Sequence, residues 1–127
     1  MKASKIQEII YDCLQYIKLP STLKYILDQG DDFGMINKKK LSLQLLIERG
    51  KKSGIAIEGT FGDDWNIRQL IDFDFRNMTY TTYKMDASFD VPYWLNGPDE
   101  RDLPIDKNFR QNLKNYFTKY SEIYRNK

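Results

Sequence analysis

The 127-residue chain carries 20 Lys/Arg and 18 Asp/Glu, contains no histidine, and has one cysteine, Cys13. The lack of histidine excludes Ser-His-Asp and Cys-His mechanisms and His-containing zinc sites, and a single cysteine excludes an intramolecular disulfide. Neither a GxxxxGK[ST] nor a GxGxxG loop occurs, so the usual phosphate-binding loops are absent. We therefore expect no catalytic residues, no cofactor and no metal.

The N-terminal segment has the apolar spacing of a helix. Its apolar positions recur every three or four residues: Ile6, Ile9, Ile10, Cys13, Leu14 and Ile17. Pro20 ends this helix, and Ser21 can cap a second, shorter helix that ends at Gly30. The two predict a helical hairpin, in which Cys13 is a packed core residue rather than a nucleophile.

Residues 38–49 are compatible with two structures. Leu41, Leu43, Leu45 and Ile47 alternate with polar residues, as in a strand that leads into a turn at 50–54. The same residues are good helix formers, and Asn37 can cap a helix ending at Gly50. Because the apolar residues scatter around a helical wheel, we favour the strand.

The middle of the chain predicts consecutive strands. Residues 55–60 form the first, followed by a turn at 61–64. In the next strand, Ile67, Ile71, Phe73 and Phe75 are expected to face inward, and Arg68, Asp72, Asp74 and Arg76 outward. Residues 79–85 are rich in Thr and Tyr and form another. Short connections indicate an antiparallel meander of three to four strands.

The last third begins with a segment, 91–104, that contains three prolines and is expected to be a long irregular connection. Asp106 can then cap a final amphipathic helix with the apolar stripe Phe109, Leu113, Tyr116, Phe117, Tyr120 and Tyr124. We predict one α+β domain spanning residues 1–127, with this C-terminal helix packed on the sheet.

The location of the protein is predicted from what the chain does not contain. No apolar run approaches the roughly 20 residues that cross a bilayer, and the N-terminus has no apolar core of signal-peptide length. We expect a cytoplasmic protein with no membrane association. The abundance of Lys, Ile, Tyr and Asn is typical of an AT-rich, bacterial coding sequence.

The charge is laid out in three blocks. Residues 1–54 have a net charge of +4, residues 55–106 of −7, and residues 107–127 of +5. A surface of one sign attracts and selects a partner of the opposite sign. Trp and Tyr next to such charges are typical anchors of protein interfaces. We predict as partner-binding residues Glu58, Asp63, Asp64, Trp65, Asp72, Asp74, Tyr93 and Trp94.

These observations favour a non-catalytic module that binds a basic protein partner. In size and charge the chain resembles the small immunity proteins that neutralise a cognate bacterial toxin, including nucleases, although no motif carries the likeness. The alternative is nucleic-acid binding through Lys107, Arg110 and Lys114 of the last helix. A third reading, a carboxylate-based metal enzyme, would need a divalent cation.

Overall fold

A computed structural model describes residues 1–18, 23–27, 43–61, 64–84 and 98–125, with backbone alone at 23, 25, 27, 60–61, 64–67 and 122–125. The helices are α1 (Ala3–Cys13), which continues as a 3-10 turn at Leu14–Tyr16, α2 (Leu43–Glu48) and α3 (Phe109–Arg125). The strands are β1 (Leu23–Leu27), β2 (Lys52–Phe61), β3 (Asp64–Asp74), β4 (Thr79–Tyr83) and β5 (Pro98–Pro104). They form one antiparallel sheet in the order β1-β2-β3-β4-β5, so the predicted α+β fold is confirmed.

The first helix forms as its apolar spacing predicts. Ile6, Ile9, Ile10 and Cys13 are buried together in the core. Burial raises the pKa of the Cys13 thiol, which keeps it protonated and unreactive. After α1, the Ser121 hydroxyl of α3 accepts a hydrogen bond from the Lys18 N–H (2.8 Å) and donates one to the Tyr16 carbonyl (2.9 Å). The first and last helices are therefore joined at this point.

The predicted second helix of the hairpin is wrong in its described part. Leu23–Leu27 is strand β1, which pairs antiparallel with β2, with Lys24 opposite Ile57 and Ile26 opposite Ile55. A segment this short makes few internal helical hydrogen bonds, whereas the side of β2 offers a full ladder. The long-range pairing therefore decides the structure.

The favoured strand at 38–49 is also wrong where the structure describes it, because residues 43–48 form α2. Leu43, Leu46 and Ile47 are buried, which is the helical spacing i, i+3, i+4. The Gln7 side chain of α1 accepts a hydrogen bond from the Gln44 N–H (2.7 Å). Packing on α1 thus selects the helix. Residues 38–42, including the Lys38–Lys40 run, lie outside the described part.

A β-bulge in β3 changes which residues face the core. Ile71 lies opposite Ile55, but Gln69 lies opposite Ala56, so Leu70 is the extra residue of β3. Arg68 consequently lies opposite Ile57 on the core face, with 1% of its surface exposed. The predicted outward position of Arg68 is therefore wrong. Beyond the bulge the prediction is confirmed: Phe73 and Phe75 are buried.

The predicted irregular connection at 91–104 is wrong for its last seven residues. Pro98–Pro104 is strand β5, which pairs with β4 at the edge of the sheet. Proline lacks an N–H and is tolerated at strand ends and edges, so prolines at both ends are compatible with an edge strand. The meander therefore has five described strands rather than three to four. Residues 91–97 lie outside the described part.

The helices cover one face of the sheet. Phe109, Leu113, Phe117 and Tyr120 of α3 are buried, as the apolar stripe predicts. The Asp106 carboxylate accepts a hydrogen bond from the Asn108 N–H (2.9 Å), which confirms its capping role. No helix within the described residues has both the length and the apolar character needed to span a membrane.

Phe109 is the aromatic residue that joins α3 to the sheet. Its ring meets those of Phe73 and Tyr80 edge-on, at centroid distances of 6.2 and 5.1 Å. We expect Phe109→Ala to lower the free energy of unfolding by about 3–5 kcal/mol, because it leaves a cavity under α3. Urea unfolding checks this, with the exposed Thr118→Ala of the same helix as control, expected within about 0.5 kcal/mol of wild type. Similar values for the two variants would contradict the packing of α3.

Candidate functional site

The structure brings three of the predicted partner-binding residues to one face of the sheet. The register places Glu58 of β2 and Asp72 and Asp74 of β3 on the face opposite the helices. All three side chains are half-buried, and Glu58 interacts with another group of the protein. We call this side of the sheet the outer face.

The other five predicted contacts are described only in part. Asp64 and Trp65 begin β3, opposite Phe61 and Thr60, and only their backbone is described. Asp63, Tyr93 and Trp94 lie outside the described residues. Their role as interface residues stays a prediction.

Asp72 is held by neighbours on the outer face. Its carboxylate accepts hydrogen bonds from the Tyr83 hydroxyl and the Gln69 side-chain amide. Burial raises the pKa of Asp72, while the Tyr83 hydrogen bond and the charge of Lys52 oppose this rise. Burial and the nearby carboxylate also raise the pKa of Tyr83. The Asp72 carboxylate is thus hydrogen-bonded within its own chain, which leaves it less able to bind a ligand.

Asp74 organises the turn between β3 and β4. Its carboxylate accepts hydrogen bonds from the backbone N–H groups of Arg76 (3.1 Å) and Asn77 (3.2 Å) and from the Asn77 side chain (2.9 Å). The Asn77 side chain is the main cause of a lowered pKa of Asp74. Asp74 therefore has a structural function in the turn.

The basic residues predicted on α3 are largely engaged with α1. The Arg110 guanidinium lies 2.9 Å from the Asp12 carboxylate and 3.7 Å from that of Glu8. The Lys114 ammonium lies over the Tyr16 ring, 5.1 Å from its centroid. Lys107 is exposed. These contacts neutralise part of the basic face.

Two turns place a different group of basic residues together. Arg49, Lys51 and Lys52 follow α2, and Arg76 lies in the turn after β3; with Asp74 and Asn77 they line an open pocket of about 580 Å³. The sequence shows Lys51-Lys52 but not the approach of Arg76, which requires the pairing of β2 with β3. We call this group the basic turns.

Strand β5 carries a set of carboxylates that the predicted site did not include. Asp99, Glu100 and Asp102 are all exposed, on the last strand of the sheet. We call these three residues the acidic edge. The signal was present in the sequence as a charged run bounded by Pro98 and Pro104, because charge and proline are typical of edge strands.

A groove of about 300 Å³ lies between the acidic edge and α3. The sheet supplies one wall with Tyr80, Thr82, Asp99, Glu100 and Leu103. The Asp99 carboxylate accepts a hydrogen bond from the Tyr120 hydroxyl (3.2 Å), and the Glu100 N–H donates to the Thr82 hydroxyl (3.2 Å). These bonds fix the position of β5 along the groove.

Helix α3 supplies the other wall of the groove with Asn112, Asn115, Tyr116 and Lys119. The Tyr116 hydroxyl is shared between two backbone carbonyls, those of Leu70 (2.9 Å) and Tyr83 (2.6 Å). The Lys119 ammonium lies 5.7 Å from the centroid of the Tyr120 ring. We call this space the β5–α3 groove.

Tyr80 contributes a buried polar atom to the lining of the groove. Its side chain is 2% exposed, and its hydroxyl makes no hydrogen bond of normal distance and angle to the described residues; the Asn112 side chain is its polar neighbour. Burial raises the pKa of Tyr80 to about 12; the Asn112 side chain opposes this rise, and the charges of Glu100 and Asp106 add to it. A buried hydroxyl in this situation costs about 1–3 kcal/mol.

No group of three or more carboxylates or thiols within the described ranges is arranged to hold a metal ion. Comparisons with protein-family models, curated proteins and solved structures find no match to this chain. Its function must therefore be inferred from the chemistry of its own residues.

Asp72 and Asp74 should show opposite pH effects on stability. The raised pKa of Asp72 makes its contribution greatest at low pH, and this contribution is lost as the pH rises above 3.8, the ordinary value, through the folded pKa. The lowered pKa of Asp74 makes its contribution present above 3.8 and lost as the pH falls through the folded pKa. NMR titration of the two carboxyl carbons checks both signs. Titration of both groups on the same side of 3.8 would contradict the described contacts.

Tyr80 and Tyr116 provide a matched pair for the polar atoms of the groove. Tyr80→Phe removes a hydroxyl without a described partner, so we expect the free energy of unfolding to stay the same or rise by up to about 1 kcal/mol. Tyr116→Phe removes a hydroxyl that is bonded to two carbonyls and should cost about 1–2 kcal/mol. Chemical unfolding measures both variants. A larger loss for Tyr80→Phe than for Tyr116→Phe would show that the Tyr80 hydroxyl is satisfied.

Proposed function

We propose that this chain is a non-catalytic protein-binding module that holds a basic protein partner. In this proposal the module acts as an inhibitor or immunity protein that neutralises a bacterial toxin, such as a nuclease, in the cytoplasm. The absence of histidine supports a binding role, because histidine is the side chain most often used in general acid–base catalysis. The partner would be recognised by charge and shape, without a cofactor.

The observation that carries this proposal is the acidic edge. Three carboxylates within four residues are exposed on the last strand of the sheet, with Arg101 as the one cation among them. Charges on a strand that is hydrogen-bonded to its neighbour keep a defined spacing, so they can select a partner by the pattern of its cations. The outer-face carboxylates Asp72 and Asp74 already bond to their own chain. In this proposal they extend the negative field, and the acidic edge makes the direct contacts.

Neutralisation of the acidic edge tests the proposal. We expect the triple variant D99N/E100Q/D102N to associate with the basic partner more slowly, on the order of tenfold at low salt, because steering by opposite charges raises association rates by this much or more. The partner is first captured from the native source on the wild-type chain after nuclease treatment. Its association rate is then measured by surface-immobilised binding over a series of salt concentrations.

The matched control removes the same number of negative charges elsewhere. E8Q/D12N/E48Q neutralises three exposed carboxylates on α1 and α2, and the three surface ion pairs it removes are worth little stability. Its association rate should stay within about twofold of the wild-type rate, since it leaves the acidic edge intact. Equal slowing by the two variants would show that only net charge matters and would refute the assigned surface.

A second candidate function is nucleic-acid binding, as predicted for Lys107, Arg110 and Lys114. The engagement of Arg110 with Asp12 leaves that helix face less free charge. The specific observation in favour of a polyanion is the basic turns, where Arg49, Lys51 and Lys52 lie beside Arg76. Phosphate contacts of this kind depend strongly on salt.

Fluorescence anisotropy with a labelled single-stranded oligonucleotide at low salt tests the second candidate. Loss of binding in K107A/K114A would assign it to α3, and loss in K51A/R76A would assign it to the basic turns. Absence of binding by the wild-type chain at low salt would refute nucleic-acid binding at either place.

A further inference from the structure

The β5–α3 groove combines two features that point to a ligand. Its lining carries the carboxylates of Asp99 and Glu100 and the Tyr80 hydroxyl, which makes no hydrogen bond of normal distance and angle to the described residues. The acidic pair alone would be ordinary surface. The hydroxyl is different, because a polar atom that is 98% buried normally has a partner. An occupant of the groove can supply it.

The electrostatics of the groove favour a cation. The charge of Glu100 is felt at the Tyr80 hydroxyl, where it contributes to the raised pKa. Among the described lining residues, Lys119 is the one cation; it is exposed, with its ammonium over the Tyr120 ring. Two carboxylates against one ammonium leave a net negative charge. A ligand with positive charge is therefore attracted by the carboxylates of the sheet wall.

The size and acceptor pattern of the groove select the kind of cation. A volume of about 300 Å³ lies at the lower limit of small-ligand sites, so it suits one side chain rather than a peptide segment. A guanidinium has five N–H donors in one plane and stacks on aromatic rings. The groove lining offers the carboxylate oxygens of Asp99 and Glu100, the Tyr80 oxygen and the Tyr116 ring. An ammonium has three donors but lacks the planar fork and the stacking surface of a guanidinium.

We propose that the β5–α3 groove is a receptor for an arginine side chain of the basic partner. This proposal rests on the proposed function, because it names the group by which the partner is recognised. The guanidinium donates to Glu100 and Asp99 and to the Tyr80 oxygen. Its stem passes beside Leu103, and the remainder of the partner contacts the acidic edge.

The test uses the full chain and three small probes. Blocked arginine, N-acetyl-arginine methylamide, is titrated into the labelled protein and followed by the backbone amide signals of Thr82, Glu100 and Asn112. The matched lysine derivative keeps the charge without the planar fork, and the matched citrulline derivative keeps the plane without the charge. We expect saturable shifts at these three amides with arginine, weaker shifts with lysine and none with citrulline.

Variants assign the binding to the groove. Tyr80→Phe should weaken blocked-arginine binding by roughly three- to tenfold, and Glu100→Gln by about tenfold or more, because the second loses a charged hydrogen bond. The control is Glu48→Gln, which removes an exposed charge on α2, outside both the groove lining and the acidic edge. This variant should stay within about twofold of wild type.

The outcomes separate the groove from the proposed function. Equal shifts with arginine and lysine, or unchanged affinity in Tyr80→Phe with an intact fold, would overturn the groove proposal. If blocked arginine does not bind but D99N/E100Q/D102N still slows the partner, the groove proposal fails and the proposed function stands. If blocked arginine binds and the triple variant leaves partner association unchanged, arginine binding by the groove stands, but the proposed function fails and with it the assignment of that arginine to the partner.

Discussion

The hydrogen bond from the Tyr116 hydroxyl to the Leu70 carbonyl links the last helix to the bulge of β3, and much of the remaining geometry follows from it. Leu70 has no opposite residue in the described ladders, so its carbonyl needs a partner from elsewhere. The same hydroxyl contacts the Tyr83 carbonyl at the end of β4, which places α3 across two strands. The space that remains between α3 and β5 is the groove.

The bulge also explains where the amino-acid sequence predicts the fold and where it does not. Local periodicity is sufficient for α1, for the existence of β2, β3 and β4 and for the aromatic face of α3, because each buries apolar residues at a regular spacing. The inward position of Arg68 depends on one extra residue in β3, which is stabilised by Tyr116, 46 residues away. No local pattern contains that contact. The predictions for the segments that form β1 and α2 were wrong for the same reason. In each segment a partner distant in sequence decides whether the chain forms a helix or a strand.

The amino-acid sequence predicts the negative charge of the candidate site but not the role of each carboxylate in it. The acidic block from 55 to 106 does contain the exposed carboxylates of β5. However, the prolines at the two ends of β5 favoured the prediction of a loop. Asp72 and Asp74 look equivalent in sequence, two residues apart on one face. Their environments differ, because one is partly buried beside Tyr83 and the other caps a turn. Burial and hydrogen bonding, which separate their pKa values, are set by the fold alone.

The prolines at both ends of β5 have a consequence for how this protein can associate with others. An edge strand with regular N–H groups is a template on which a further strand can add, from a partner or from a second copy. Pro98, Pro104 and the left-handed backbone at Asp102 interrupt that template. A partner that binds at this edge must therefore contact the side chains of β5 rather than add a strand through main-chain hydrogen bonds. It follows that this edge disfavours the growth of fibres by strand addition, while its exposed side chains remain accessible to a partner.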